Sequence, residues 1–309
     1  HLTFVEAIEE LASFVGVEVP REAGFVSKPA QDNVKQQFEL LEQVAKVYAQ
    51  QLRATNPAAQ TAIAYLKKRG LTGEIAKEFR LGFAPEQWDF LLQHFPAKTL
   101  LEAGLIVKNE NGKQYDRFRG RIMFPIRDKR GRIIGFGGRV LDDSQPKYLN
   151  SPETSVFSKG QNVYGLYELL RKNAKPERIL IVEGYMDVIA LAQYGISYAV
   201  ATLGTATTKA HLDLLFRHSH ELVFCFDGDN AGQQAAWRAI EIALPTLKDG
   251  REIKIMLLPQ SHDPDSLIRA EGLANFEQRV TSAQVLSDYF FHHYTSTLDL
   301  STMEGRAKL

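Results

Sequence analysis

The stretch ILIVEGYMDVIALAQYG, residues 179–195, decides the fold. Its first four residues form a short, β-branched, apolar run that suits a fully buried strand. A Glu-Gly pair follows. YMDVIALAQ then carries apolar residues at helical spacing and ends before Gly195. The same order repeats downstream. YAVATLG (198–204) reads as a strand and TATTKAHLDLLFRH (205–218) as a helix with Thr caps. ELVFCF (221–226) reads as a strand, NAGQQAAWRAIEIALPTL (230–247) as a long helix, and IKIMLLP (253–259) as a fourth strand. Short apolar strands alternating with helices are βαβ units. They predict an α/β domain with a mostly parallel sheet covered on both faces.

Upstream the pattern differs. FVEAIEELASFVGV has helical spacing and ends near Gly16, and PREAGFVSKPA (20–30) reads as a linker. Residues 33–55 return to helical spacing, with Val34, Phe38, Leu41, Val44, Tyr48 and Leu52 on one face. Thr61 to Arg69 reads as a short helix stopped by Gly70. From Tyr115 short strands and turns take over, and RIMFPIRD and RIIGFGGRV, separated by KRG, predict a hairpin. Residues 286–309 look helical and stop in a charged run. The missing initial Met and this ending read as an excised fragment.

Composition excludes several classes. The chain has 309 residues, 44% hydrophobic and 24% charged, ordinary for a folded globular protein. Its single Cys excludes a disulfide scaffold and a Cys-built zinc site, and Cys225 reads as a reduced core residue. No run approaches the roughly 18 to 20 apolar residues of a membrane span, and nothing resembles a signal peptide. A cytoplasmic location is the default expectation. Charge balances at 37 basic and 37 acidic residues, so net charge names no partner. Locally the balance fails: residues 108–147 carry eleven basic and five acidic side chains, or +6. Such a stretch is either a solvated face or a phosphate track.

Ligands of open parallel sheets bind beyond the carboxyl ends of the strands. Acids gather there. Glu183 follows the first strand, Asp227 and Asp229 follow ELVFCF, and Asp263 and Asp265 follow the fourth strand. Asp187 lies four residues after Glu183, in the first turn of the next helix, and can face the same edge. Six bare carboxylates would repel, and bound Mg²⁺ or Mn²⁺ would relieve that. The plain alternative is helix capping, the usual role of an isolated Asp after a strand. A calcium loop is ruled out because Ala231 and Arg238 occupy ligand positions. Neither a phosphate-binding Gly-Lys loop nor a nucleophile elbow is present. Residues 135–140 miss the dinucleotide fingerprint and read as a closely packed strand. His218 and His220 lack zinc partners, and His262 reads as a neighbour of the acids rather than a ligand.

Glu-Gly-Tyr-Met-Asp after one strand and Asp-Gly-Asp after a later one resemble the Toprim fold of bacterial primases, type IA and II topoisomerases and some nucleases. The preceding segment narrows this. FPIRD, GFGGR, KYLNSPET and FSKG…YG within residues 115–165, with YLKKRG (65–70) and GFAP (82–85), resemble the catalytic core of bacterial DnaG-type primases. The resemblance covers about residues 33–285.

It implies a Toprim-like, mostly parallel sheet flanked by helices, preceded by a mixed α+β basic subdomain and followed by the start of a helical region. The expected units are 1–30 (tail of an upstream zinc-binding domain plus linker), 31–158 (basic groove), 159–285 (metal-binding domain) and 286–309 (helical region). Implied is a DNA-directed RNA polymerase of the primase type, a nucleotidyltransferase. It would make RNA primers from ribonucleoside triphosphates on single-stranded DNA at the replication fork. Glu183, Asp227 and Asp229 would hold the ions, and Asp187, Asp263 and Asp265 would complete the site. Lys147, Lys159 and Arg139 would neutralise triphosphate, with Tyr148 and Asn150 of the KYLN block beside nucleotide or template. Arg117, Arg119 and Arg121 alternate along an expected strand and share one face, with Phe118 opposite. They line either a template groove or a solvated surface. Zinc belongs only to the upstream domain and the replicative helicase to a C-terminal domain. A monomeric fragment without a membrane partner is expected. The rivals are another Toprim enzyme and a non-catalytic single-stranded DNA-binding module.

Overall fold

The computed structural model describes residues 28–297 and 302–303. The expected helix before Gly16 lies outside them. Helix α1 (Lys28–Leu52) begins inside the stretch read as linker. Pro29 is tolerated there because a first-turn N–H has no intrahelical partner to lose. Leu41, Val44, Tyr48 and Leu52 are buried along α1, as the spacing requires. Helices α2 (Pro57–Lys68) and α3 (Gly73–Glu78) follow, capped by the Asn56 and Thr72 side chains.

The first sheet is antiparallel, built from β1 (Gly82–Ala84), β4 (Arg121–Arg127), β5 (Ile133–Val140) and β6 (Tyr148–Asn150) in the order β1-β4-β5-β6. Helix α4 (Ala97–Glu102) and the small hairpin β2 (Ile106–Lys108) and β3 (Gln114–Asp116) lie between β1 and β4 in the chain. The expected hairpin is β4–β5, turned at Asp128, whose carboxylate accepts from the Arg130 and Arg132 N–H groups. Tyr48 of α1 meets Phe136 of β5 edge-to-face at 5.6 Å, within one core.

The second sheet holds the four expected strands. They are β7 (Arg178–Val182), β8 (Ala199–Ala201), β9 (Glu221–Phe226) and β10 (Glu252–Leu257), mutually parallel. Strand β11 (Gln284–Val285), not foreseen, pairs antiparallel with β10 and completes the order β11-β10-β9-β7-β8. Strand β8 is shorter than expected and ends at Ala201. Its other edge bridges to Tyr164. Helix α5 (Leu166–Lys172) precedes β7. Helices α6 (Tyr185–Gln193), α7 (Lys209–Leu215), α8 (Asn230–Ala243), α9 (Pro264–Thr281) and α10 (Leu286–Thr297) surround the sheet. Side chains alternate between two cores. Leu180, Val182 and Val223 pack with α6 and α9 residues, whereas Ile179, Ile181 and Phe224 pack with α7 and α8 residues. Cys225 is a buried free thiol.

Tyr185, the third residue of Glu-Gly-Tyr-Met-Asp, joins the two sheets. Its ring stacks on Phe124 of β4 at 5.3 Å and meets Tyr164 edge-on at 4.8 Å. Its hydroxyl donates to Asn150 at 2.6 Å, and Asn150 donates to the Leu203 carbonyl at 2.9 Å. A Cβ on Gly137 would lie 2.6 Å from this ring. The glycines of GFGGR therefore serve close packing. A second join is the buried ion pair of Arg127 with Glu168 of α5.

Gly137→Ala should destabilise the protein by about 1–3 kcal/mol, the cost of overpacking a closed interface. Urea unfolding would read this. An unchanged midpoint would mean that Tyr185 moves aside without cost.

Candidate active site

Strands β7 and β9 are neighbours, yet the chain leaves them in opposite directions. From β7 it passes through α6 to β8 on one side, and from β9 through α8 to β10 on the other. Their carboxyl ends form a topological switch point, where such sheets open a crevice. Glu183 follows β7 there, and Asp227 and Asp229 follow β9. The loop between the two aspartates is fixed by space. A Cβ on Gly228 would sit 2.0 Å from the Leu258 carbonyl oxygen, so the chain crosses the end of β10 only as glycine.

The acids form one electrostatic patch. Burial and then the charges of Asp227 and Asp229 raise the Glu183 carboxyl above its usual range, although part of the side chain is exposed. Asp227 is raised by burial, then by Asp263 and Asp229. Asp187 is pushed up to about 8 by burial, then by Asp263, Asp265 and Asp227. Capping and clustering coexist. Asp229 accepts from the Gly232 N–H at 2.7 Å at the start of α8, and Asp263 from the Ser266 N–H at 2.7 Å at the start of α9. Burial works to raise Asp263, but the Ser266 N–H and hydroxyl and then Arg69 and Arg269 hold it low.

Asp265 differs from the other acids in its cation partners. It is 1% exposed and already neutralised, with Arg69 at 2.9 Å on one oxygen and Arg269 at 3.0 Å on the other. The pairing leaves Oδ1 without a hydrogen-bond partner among the described residues. It ties α9 to the end of α2. The remaining hard oxygen donors do fit a divalent cation, because they hold uncompensated negative charge. Among the described residues no three converge as a ready-made cage. That suits an ion kept partly hydrated and completed by substrate phosphates.

Cations lie beside the acids. Arg139 of β5 is 5% exposed, between the rings of Tyr65 at 4.7 Å and Tyr148 at 5.5 Å. Its Nε and Nη1 are buried without a hydrogen-bond partner among the described residues. Buried guanidinium donors in that state are poised for an anion. Arg69, which sequence reading passed over, approaches the Tyr65 ring at 5.8 Å. Its only sequence signal is its place in YLKKRG. Lys147 is exposed just before β6. Lys159 is positioned by its backbone, whose N–H donates to Glu153 and whose carbonyl accepts from His211 at 2.7 Å. Asn150 is occupied by Tyr185 and Leu203 and acts inside the protein as a bridge.

The expected arginine strand does not form. Only Arg121 lies in β4, because Gly120 adopts φ of +58° and breaks the extension. Arg117 donates to the Gly104 carbonyl at 2.9 Å, and Arg121 is buried against the Gly138 and Lys147 carbonyls. Phe118 is buried. Arg119 donates to the Asp116 carbonyl and lies 4.0 Å above the ring of Trp88, which is 57% exposed. Sequence reading missed Trp88; its signal was a lone Trp in a turn-rich stretch.

Comparison with known proteins now adds to this geometry. Residues 47–170 match the family model described as DNA primase catalytic core, N-terminal domain, and residues 180–268 match a Toprim-like model. The DNA primase of Pseudomonas aeruginosa is 55% identical over 100% of this chain and 48% of its own length. A DnaG primase catalytic domain solved bound to single-stranded DNA superposes with a TM-score of 0.85 at 51% identity, covering 90% of this chain and 91% of that one. A DNA primase domain from Pseudomonas aeruginosa gives 0.85 at 56% identity, covering 88% and 87%. The chain belongs to the DnaG primase catalytic-core family. It spans about half the length of the curated relatives it matches. The Toprim-like part of a DnaG core points to divalent-metal binding.

Two outcomes follow from the charges. The raised Asp187 carboxyl makes the folded metal-free protein hold a proton that the unfolded chain releases near 3.8. The stability it supplies is complete below that value and is lost as pH rises to about 8. Asp187→Asn should flatten this decline, measured by urea unfolding in chelator at pH 5 and pH 8.5. A parallel shift of both curves would contradict it. Asp265→Ala should cost about 1.5–3 kcal/mol, the scale of hydrogen bonds to charged groups, because it removes the partner of two arginines that are 29% and 32% exposed. An Asp265→Ala protein as stable as wild type would reduce that pair to a surface contact.

Proposed function

We propose that this chain is the catalytic core of a DNA primase, joining ribonucleotides on a single-stranded DNA template. The observation that carries this is the pairing of an acidic switch point with Arg139, a buried cation whose Nε and Nη1 lack hydrogen-bond partners among the described residues. The relative bound to single-stranded DNA supports the choice of template.

The reaction needs no nucleophile from the protein. A ribose 3′-hydroxyl oxygen bonds to the α-phosphorus of a triphosphate, and the bond to the β-phosphate oxygen breaks. Pyrophosphate leaves with that electron pair, and the hydroxyl proton passes to water. Glu183, Asp227 and Asp229 are the proposed ligands of Mg²⁺ or Mn²⁺, with Asp187 and Asp263 beside them. Such ions stabilise attacking and leaving oxygens when bound. Arg139, Arg69, Lys147 and Lys159 hold the triphosphate and offset charge that builds on its oxygens. Tyr148 walls the same space. Arg119 and exposed Trp88 offer the template a cation and a stacking face. Initiation-site selection, through an upstream zinc-binding domain, and helicase contact, through a C-terminal domain, belong to segments beyond the described residues. The setting is the cytoplasmic replication fork.

The test is ribonucleotide incorporation on single-stranded DNA with and without Mg²⁺ or Mn²⁺. Asp227→Ala should keep its circular dichroism spectrum and lose transfer by more than the roughly 10- to 100-fold that outer-shell partners cost. Retained transfer with unchanged metal dependence would sink the ligand assignment. Metal-dependent plasmid cleavage without RNA synthesis would favour another Toprim chemistry.

A further inference from the structure

The switch point has a second chamber. Because α6 turns to one face of the sheet, the opposite face above the end of β7 is left open between the loop 202–208 and α8. A cavity of about 300 Å³ fills this gap. Its floor is apolar, made by Phe226, Ala235 and Ala239. Its rim carries the hydroxyls of Thr202, Thr205 and Thr207, with Arg238 on one side and Glu183 at the mouth. None of these three hydroxyls has a hydrogen-bond partner among the described residues. No ion pair of Arg238 occurs among them either. The loop is held at both ends. Asn150 donates to the Leu203 carbonyl at 2.9 Å, and Thr208 donates to the Gly160 carbonyl at 2.7 Å. The chamber is therefore framed by fixed elements.

Charge decides its occupant. A triphosphate carries several negative charges and needs several cations. The cations proposed for it, Arg139, Arg69, Lys147 and Lys159, do not line this chamber. The chamber offers one arginine, and a carboxylate guards its entrance. It suits a largely neutral group with an apolar plane and hydroxyls, at the small end of the 300–1,000 Å³ range of ligand sites. We propose that this chamber binds the nucleoside whose 3′-hydroxyl attacks: the initiating nucleotide, and later the 3′-terminal residue of the primer. Its base lies on Phe226 and the α8 alanines, its ribose meets the threonines, and its 3′-hydroxyl points past Glu183 toward the triphosphate. The inference rests on the primase reading above and adds the position of the second substrate.

The experiment is dinucleotide synthesis on a single-stranded template. A ribonucleoside 5′-monophosphate serves as initiator and a labelled triphosphate as the incoming partner, each varied at saturating levels of the other. Ala235→Leu narrows the chamber from a half-buried position. It should raise the KM for the initiator about 10-fold or more, the scale on which pockets reject added methylenes. The KM for the incoming triphosphate should stay within about twofold. Saturation-transfer NMR with the monophosphate alone, without metal, should show binding by wild type and its loss in Ala235→Leu. Arg238→Ala, at an exposed position, repeats both measurements if the circular dichroism of Ala235→Leu departs from wild type. An unchanged initiator KM, or equal rises for both substrates, would overturn the proposal. If wild type binds monophosphate in the chamber yet makes no dinucleotide, the primase reading fails instead, and with it the role given to the bound nucleoside.

Discussion

The contact on which the structure depends is the ring of Tyr185 lying against a strand without side chains in its way. One face of that ring stacks on Phe124, and its hydroxyl reaches Asn150, so a single residue fixes distance and rotation between the two sheets. The acids are carried by one sheet and Arg139 by the other. Their separation is set by this junction and by the ion pair of Arg127 with Glu168. Losing a methylene or adding one there would not only weaken a core. It would move a cation relative to a field of carboxylates, where small displacements change interaction energies steeply.

That field is balanced on one side only. Asp265 has two arginines, and Asp263 spends an oxygen on a helix cap, so the carboxyl groups with no ion pair among the described residues include Glu183, Asp187 and Asp227, and burial and then repulsion hold a proton on Asp187. On the other sheet, Arg139 holds its charge between two aromatic rings, with Nε and Nη1 left without a hydrogen-bond partner among the described residues. The fold thus stores unmet demand of both signs in adjoining places. A ligand that brings phosphate oxygens to the arginine and a divalent ion to the acids satisfies both at once.

Much of this was legible in the sequence because its signals were local. Strands β7, β9 and β10 followed from apolar runs. The helices after β7 and β9 followed from spacing and caps, and the acids from their places at strand ends. What was hidden depended on contacts far apart in the chain. The alternation of Arg117, Arg119 and Arg121 suggested a strand, but it could not show that Gly120 takes a left-handed turn or that Arg121 would be buried. Asp265 looked like its neighbours until Arg69, nearly two hundred residues earlier, came to meet it. Asn150 looked like a ligand contact and is bound by its own protein. The two-residue β11 has no periodicity to read.

That small strand has a consequence for how the sheet survives in solution. A parallel sheet ends in rows of unpaired N–H and C=O groups that invite another chain to add on. Here Gln284 and Val285 occupy the β10 edge at Ile255 and Lys254, while Tyr164 bridges the β8 edge at Ala201. Each margin is thus partly covered by a few residues of the chain itself. A protein cut just before Gln284 would keep every acid discussed above yet present the β10 edge bare, and would be more prone to self-association.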